Sequence, residues 1–77
     1  MATELTMPKF GEVMESGTVL SWKKAEGQAV AKGEVILDVE ADKGVMEVES
    51  PATGVVRTIL VPEGTTVPVN TLLAIIE

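Results

Sequence analysis

The chain alternates between apolar and polar residues in short segments, and this alternation predicts β-strands. Between Glu34 and Glu40, the odd-numbered residues are predicted to face one side of a sheet and the even-numbered ones, Ile36 among them, the other. No window repeats its apolar residues at the three- and four-residue spacing of an amphipathic helix. We therefore expect an all-β fold.

Glycine, proline and asparagine residues cut the chain into eight predicted strands. These are Glu4–Met7, Thr18–Lys24, Ala29–Ala31, Glu34–Glu40, Val45–Glu49, Val55–Val61, Thr66–Pro68 and Thr71–Ile76. Many short strands at this spacing are typical of a small sandwich or flattened barrel.

An internal repeat gives the predicted barrel a symmetry. Shifted by 37 positions, Gly17–Glu40 aligns with Gly54–Glu77 without a gap, and a Glu-Gly pair recurs at the same place in both segments. Neither segment is large enough to bury its own apolar face. The repeat predicts two four-stranded antiparallel sheets that are related by a pseudo-twofold axis and close one core.

The predicted strand ending at Glu40 must turn back, and it does so through Ala41-Asp42-Lys43-Gly44. Asp and Lys suit the central positions of a type I turn and Gly suits the fourth, so Lys43 is predicted to be exposed. A lysine in an exposed turn is usually only a solubilising residue. Its acidic neighbours keep the amine charged, which suits an attachment point better than a Schiff-base or proton-transfer role.

Composition excludes several classes of function. The 77 residues are enough for one domain, and they include no Cys, His or Tyr, which removes any thiol nucleophile and the commonest acid–base group. The net charge of −6 argues against nucleic acid and anionic membranes as partners. The carboxylates lack calcium-loop spacing, so no metal site is predicted. We see no targeting segment and expect a cytoplasmic bacterial protein, or a mitochondrial-matrix one if the chain derives from a longer precursor.

The turn and its surroundings resemble a known family. Glu40-Ala41-Asp42-Lys43-Gly44, followed by Met46–Pro51, is similar to the lipoyl-attachment motif of lipoyl domains. These domains belong to the dihydrolipoamide acyltransferase components of 2-oxo acid (or acetoin) dehydrogenase complexes. Met7–Gly11 and Met14–Val19 match the same family, which usually has Thr in place of Ala41 and often Ala in place of Gly44.

The resemblance implies that Lys43 carries lipoic acid in amide linkage, as a swinging arm that moves acyl groups and reducing equivalents between active sites. It also implies recognition roles for further residues. The modifying enzyme or a partner is expected to read Asp42, Gly44, Glu40, Glu47, Glu49, Phe10, Gly11 and Glu12. For the first five, turn chemistry or a solvated strand face is the alternative explanation. The last three belong to the loop Phe10–Ser16, which lies near the lipoyl turn in family members.

The implied partners are a lipoate–protein ligase or other lipoyl transfer machinery, a thiamin diphosphate-dependent decarboxylase or dehydrogenase component, an acyltransferase catalytic domain and dihydrolipoamide dehydrogenase. We expect residues 1–77 to form a single, monomeric domain, the N-terminal part of a longer acyltransferase. The chain itself is expected to have no catalytic residues.

Four other interpretations remain open. A biotin carrier domain has a similar fold, but methionines typically flank its lysine, and here the neighbours are Asp42 and Gly44. A non-carrier β-sandwich would not need Lys43. The lipoyl carrier of glycine cleavage is longer than this chain. A stand-alone enzyme is disfavoured by the missing His, Cys and Tyr.

Overall fold

The computed structural model describes residues 2–11, 13–42 and 44–77. Its eight strands are β1 (Thr3–Thr6), β2 (Ser16–Trp22), β3 (Ala29–Val30), β4 (Val35–Ala41), β5 (Gly44–Glu49), β6 (Gly54–Ile59), β7 (Thr66–Pro68) and β8 (Leu72–Ile76). The all-β prediction is confirmed, and every predicted strand is present with its ends moved by at most two residues.

The strands form the two predicted four-stranded sheets. One sheet has the order β1-β8-β6-β3 and the other the order β5-β4-β2-β7, and all six pairings are antiparallel. The described residues occupy a flattened body of 32 × 21 × 17 Å. None of them belongs to a helix with the length and hydropathy that a bilayer crossing requires.

Residues 37 positions apart make equivalent contacts, as the internal repeat predicts. The Gly27 N–H donates to the Val56 carbonyl at 2.7 Å, and the Gly64 N–H donates to the Val19 carbonyl at 2.7 Å. The register of β2 against β4 shifts just after Val19, and that of β6 against β8 just after Val56. The two halves are therefore related in detail, including their irregularities.

Apolar side chains from both sheets fill one core. The buried members are Leu5, Met7, Met14, Val19, Val30, Ile36, Leu37, Val39, Val48, Val56, Val61, Leu73, Ala74 and Ile76. The half-buried Trp22 packs against this core, and its indole N–H donates to the Val61 carbonyl at 3.0 Å.

The prediction that Ile36 and Leu37 face opposite sides of the sheet is wrong. A register shift in the β4–β5 pairing lies between Val35 and Leu37, so both Ile36 and Leu37 are fully buried. A bulge of this kind adds a residue to one strand and breaks the strict alternation of its faces. The corresponding pair in β8, Leu73 and Ala74, is fully buried in the same way.

Candidate functional site

The β4–β5 hairpin ends in a very short connection. Ala41 pairs with Gly44, so two residues connect the strands. Asp42 is exposed and its φ is not positive, whereas the mirror-image hairpin turns need a positive φ at this position. Lys43, the predicted attachment residue, lies outside the described residues. Its two sequence neighbours, Asp42 and Gly44, are both exposed.

The backbone conformation at position 44 favours glycine, and crowding by neighbouring residues does not contribute. Its φ is +129°, a conformation that residues with a Cβ rarely adopt, while no heavy atom of a described residue other than its chain neighbours lies within 4 Å of the position a Cβ would take. Apart from its chain neighbours, no described residue therefore crowds the side of the hairpin that this glycine faces.

A long loop between β1 and β2 lies beside the hairpin. It spans residues 7–15, whereas the corresponding connection in the other half, between β5 and β6, spans only residues 50–53. Met14 anchors the loop: its side chain is buried, and its Sδ accepts a hydrogen bond from the Phe10 N–H at 3.1 Å. The anchored loop is the main departure of the chain from its own internal symmetry.

Gly17 allows the loop to pack closely against the hairpin. A Cβ at this position would lie 2.9 Å from Met7 Sδ, 2.9 Å from Val39 Cγ1 and 3.0 Å from Met14 Cε. Real Cβ atoms essentially never make contacts under 3.0 Å, so any larger residue would push the two methionines or β4 away. Glycine at the start of β2 thus sets the distance between the loop and β4.

A groove of about 280 Å³ separates the loop from the hairpin, and we call it the loop groove. It is lined by Phe10, Gly11, Val13, Met14, Ala41, Asp42 and Met46. The structure thus brings together three of the predicted site residues, Phe10, Gly11 and Asp42. Among the described lining residues, Asp42 alone has a polar side chain.

A second groove, of about 480 Å³, lies on the other side of the hairpin tip, and we call it the strand groove. It is lined by Ser16, Gly17, Thr18, Glu40, Ala41, Asp42, Gly44 and Thr66. The hydroxyls of Thr18 and Thr66 are hydrogen-bonded at 2.7 Å, and Glu40 and Asp42 supply carboxylates. Ala41 and Asp42 line both grooves and form the wall between an apolar surface and a polar, acidic one.

Not all predicted site residues join this arrangement. Glu47 and Glu49 are exposed on β5 but line neither groove, and Glu12 lies outside the described residues. Conversely, four lining residues of the loop groove were not predicted as site residues: Val13, Met14, Ala41 and Met46. The available signal was the loop length, since the β1–β2 connection is longer than its counterpart in the repeat.

The chemistry of the tip suits presentation of a side chain. In the described part of the chain, no three His, Cys, Asp or Glu residues lie close enough to hold a metal ion. Remote from the tip, at the base of β4, a hydrogen bond from the Ala31 N–H, together with Lys24, lowers the pKa of Glu34. An amine at position 43, between exposed neighbours, fits an amide-linked cofactor that another enzyme attaches.

Comparison with known proteins agrees with this geometry. A family model for biotin and lipoyl attachment, described as "Biotin-requiring enzyme", matches residues 3–76. The dihydrolipoyllysine-residue acetyltransferase component of the acetoin cleaving system of Pseudomonas putida is 46% identical over 94% of this chain and 20% of its own length. The pyruvate dehydrogenase E1 component subunit beta of Rhizobium meliloti is 42% identical over 99% of this chain and 17% of its own length.

A solved structure supports the same relationship. The lipoyl domain of the 2-oxoglutarate dehydrogenase complex from Azotobacter vinelandii matches with a TM-score of 0.78 and 42% identity, over 96% of this chain and 94% of that domain. The chain spans about a fifth of the length of the curated relatives it matches. The similarity therefore covers a whole domain of these proteins and a small part of each polypeptide.

Proposed function

This chain belongs to the biotin/lipoyl attachment family as a lipoyl domain of the 2-oxo acid dehydrogenase type, and from that premise we propose that Lys43 carries lipoic acid as an amide. The pairing of Ala41 with Gly44 is the observation that supports this assignment most directly. Only two residues separate these paired positions in the chain, and Asp42 and Gly44, the sequence neighbours of residue 43, are both exposed. A stiff hairpin presents a side chain to an external enzyme in a defined direction.

The hairpin and the lysine side chain together would provide reach. A lysine extended by a lipoyl group is a chain of order ten bonds, with a span of roughly 10 Å or more. Tethering such an arm to a larger assembly raises its effective concentration at each active site. When bound, lipoic acid supplies a cyclic disulfide that takes up an acyl group and two electrons, while the protein positions it.

The proposed partners follow from this carrier role. A lipoate–protein ligase or lipoyl transfer enzyme would read Asp42 and Gly44, and Glu40, Glu47 and Glu49 would offer an acidic face to it or to a complex component. The acyl group would come from a thiamin diphosphate-dependent component and pass to an acyltransferase catalytic domain. Dihydrolipoamide dehydrogenase would reoxidise the arm. Catalysis would reside in these partners.

The host polypeptide is part of the proposal. We propose that the host is an acyltransferase, as the similarity to the acetyltransferase of Pseudomonas putida supports, and that the domain lies at its N-terminus. The similarity to an E1 beta subunit of Rhizobium meliloti favours a second host, a decarboxylase subunit with its own lipoyl domain. The sequence that follows Glu77 in the full-length gene product distinguishes the two: a catalytic acyltransferase domain supports the first host and a thiamin-dependent domain the second.

Intact-mass spectrometry tests the attachment. The wild-type domain is incubated with lipoate–protein ligase, ATP and lipoate, and separately with biotin ligase, ATP and biotin. We expect the mass of one lipoyl group in the first reaction and no change in the second. Lys43→Arg and Lys43→Gln should both remain unmodified. Biotin on the wild type, or lipoate on either variant, would overturn the assignment of Lys43 as the lipoyl residue.

Acylation of the loaded domain tests the carrier role and identifies the complex. The lipoylated domain is mixed with the thiamin-dependent component for pyruvate, for acetoin or for 2-oxoglutarate, each with its substrate, and its mass is followed. We expect one component to transfer its acyl group much faster than the others. If none of the three acylates the loaded domain, its proposed role in these complexes is wrong, even if lipoylation succeeds.

A further inference from the structure

We propose that the loop groove is a docking site for the lipoyl arm of the same domain, so that the arm alternates between a docked and an extended state. This inference rests on the proposed attachment of lipoic acid to Lys43. It differs from it in assigning a ligand-binding function to Phe10, Val13 and Met14, which lie outside the predicted attachment motif, and to Met46.

Position supports this occupant. Asp42 lines the loop groove and directly precedes Lys43 in the chain, so a group attached to Lys43 is tethered next to a lining residue. A group tethered beside a groove has a high effective concentration there, so even a weak affinity gives measurable occupancy. A free molecule of the same chemistry would need a much stronger site.

The lining suits the arm chemically. The arm consists of methylene groups and a dithiolane ring, and its amide bond removes the positive charge of the lysine. Met14 and Met46 are flexible thioethers that adapt to irregular apolar ligands. Val13 is 76% exposed, the most exposed large apolar side chain among the described residues, and the arm would cover it.

The internal symmetry separates this loop from the needs of the fold. The short connection at residues 50–53 makes the equivalent crossing between the two sheets, from β5 to β6. The additional residues of the β1–β2 loop are therefore not required to connect the sheets. They form one wall of the groove, and the other wall is the hairpin that bears Lys43. The longer loop therefore lies beside the hairpin tip, within reach of a group attached to the neighbouring residue 43.

The first test is amide chemical-shift mapping by NMR on the intact domain, before and after lipoylation that intact mass shows to be complete. We expect shifts at Gly11, Val13, Met14 and Met46, in addition to those at the residues adjoining Lys43. In a Val13→Ser variant, the remote shifts should fall by half or more. The matched control is Val45→Ser. Val45 is an exposed valine of the β4–β5 hairpin, and it lines neither groove. It should keep the full set of shifts.

The second test is the rate at which a small phosphine reduces the dithiolane, compared with free lipoamide. A dock that is occupied half of the time slows reduction about twofold, and Val13→Ser should restore the faster rate. Both valines are exposed, so the spectra of the two variants should remain those of a folded domain.

The outcomes separate the two proposals. A fully lipoylated domain with shifts confined to residues 42–45, and with dithiolane reduction as fast as in free lipoamide, would overturn the docking site and leave the attachment intact. Shifts in the loop groove that appear only when a partner component is added would also overturn it and assign the groove to that partner. If no lipoylation occurs at Lys43, both proposals fall.

Discussion

The carboxylate of Glu63 accepts a hydrogen bond from the backbone N–H of Trp22 at 2.8 Å, between two residues that belong to different halves of the molecule. The reciprocal bond joins the carboxylate of Glu26 to the Ile59 N–H at 2.7 Å. Glu26 and Glu63 are the glutamates of the two Glu-Gly pairs in the sequence repeat. The repeated glutamate therefore links the two halves twice, because the carboxylate in each half accepts a hydrogen bond from a backbone N–H of the other half.

The first prediction concerns this connection. Glu63→Ala should lower the free energy of unfolding by about 1 kcal/mol, because the Trp22 N–H loses an intramolecular acceptor. Glu63→Gln keeps an acceptor oxygen and should retain most of the stability. Urea unfolding followed by Trp22 fluorescence measures both. Equal losses for Ala and Gln would show that charge matters and the hydrogen bond does not. Glu26→Ala should behave like Glu63→Ala, and the two effects should add if the bonds are independent.

The second prediction concerns the glycine that brings the loop close to β4. Gly17→Ala should cost about 1–3 kcal/mol of unfolding free energy, because its Cβ would overlap Val39 Cγ1 and two methionine side chains. In a Val39→Ala background the same change should cost less, since the stiffest of the three neighbours is gone. Chemical denaturation of the four proteins gives the coupling, expected to exceed about 0.5 kcal/mol. Strictly additive costs would mean that Val39 does not limit the space at Gly17.

The strands could be predicted from the sequence because each is short, alternating and bounded by a turn residue. The repeat also predicted the two sheets, because a unit too small to bury its apolar face must pair with its copy. Local alternation failed at Ile36, where a bulge places two consecutive residues in the core. Two consecutive apolar residues occur at the equivalent place in each half, Ile36-Leu37 and Leu73-Ala74. This shared feature of the repeat was the sequence signal for the bulge.

For the candidate site, the sequence predicted the local attachment motif but not the contacts between distant segments. The order Asp42-Lys43-Gly44 identifies the attachment motif by resemblance, and Phe10 and Gly11 were expected near it for the same reason. The loop groove itself depends on the approach of Met14 and Val13 to Ala41 and Met46, which are far apart in sequence. Periodicity carries no information about such contacts, because they are set by the packing of Met14 over Gly17.

The third prediction uses two equivalent positions with left-handed backbones. Gly33 has φ +89° and Asn70, 37 residues later, has φ +74°. Asn70→Ala should cost about 1 kcal/mol, since a Cβ is disfavoured there and alanine lacks the local hydrogen bonds of asparagine. Asn70→Gly should stay within about 0.5 kcal/mol of the wild type. In the other half, Gly33→Asn should be tolerated better than Gly33→Ala.

Thermal and urea unfolding of these four variants measures their stabilities and tests the prediction. The pairs should follow the same rank order, with glycine and asparagine close together and alanine lowest in each half. If Asn70→Ala were as stable as the wild type, the left-handed conformation would not constrain this turn. If Gly33→Asn were as harmful as Gly33→Ala, the two turns would not be energetically equivalent.

The fourth prediction concerns pH. The carboxylate of Glu34 accepts a hydrogen bond from the Ala31 N–H at 3.0 Å and pairs with Lys24 at 3.0 Å, and these contacts lower the pKa of Glu34 from its usual 4.5. A pKa that is lower in the folded state stabilises the fold above the unfolded value, and this contribution is lost as the pH falls through the folded pKa. Wild type should therefore exceed Glu34→Gln in stability at neutral pH, and the difference should shrink below about pH 4.5.

The Lys24→Gln variant separates the two contacts, because it removes the ion pair and leaves the Ala31 N–H in place. Titration of the Glu34 side chain by NMR should then give a pKa between that of the wild type and the usual glutamate value, because the backbone hydrogen bond is the larger cause of the shift. A full return to the usual value in Lys24→Gln would reverse this order and make the ion pair dominant. An unchanged pKa would show that the exposed pair is screened by solvent, as surface ion pairs often are.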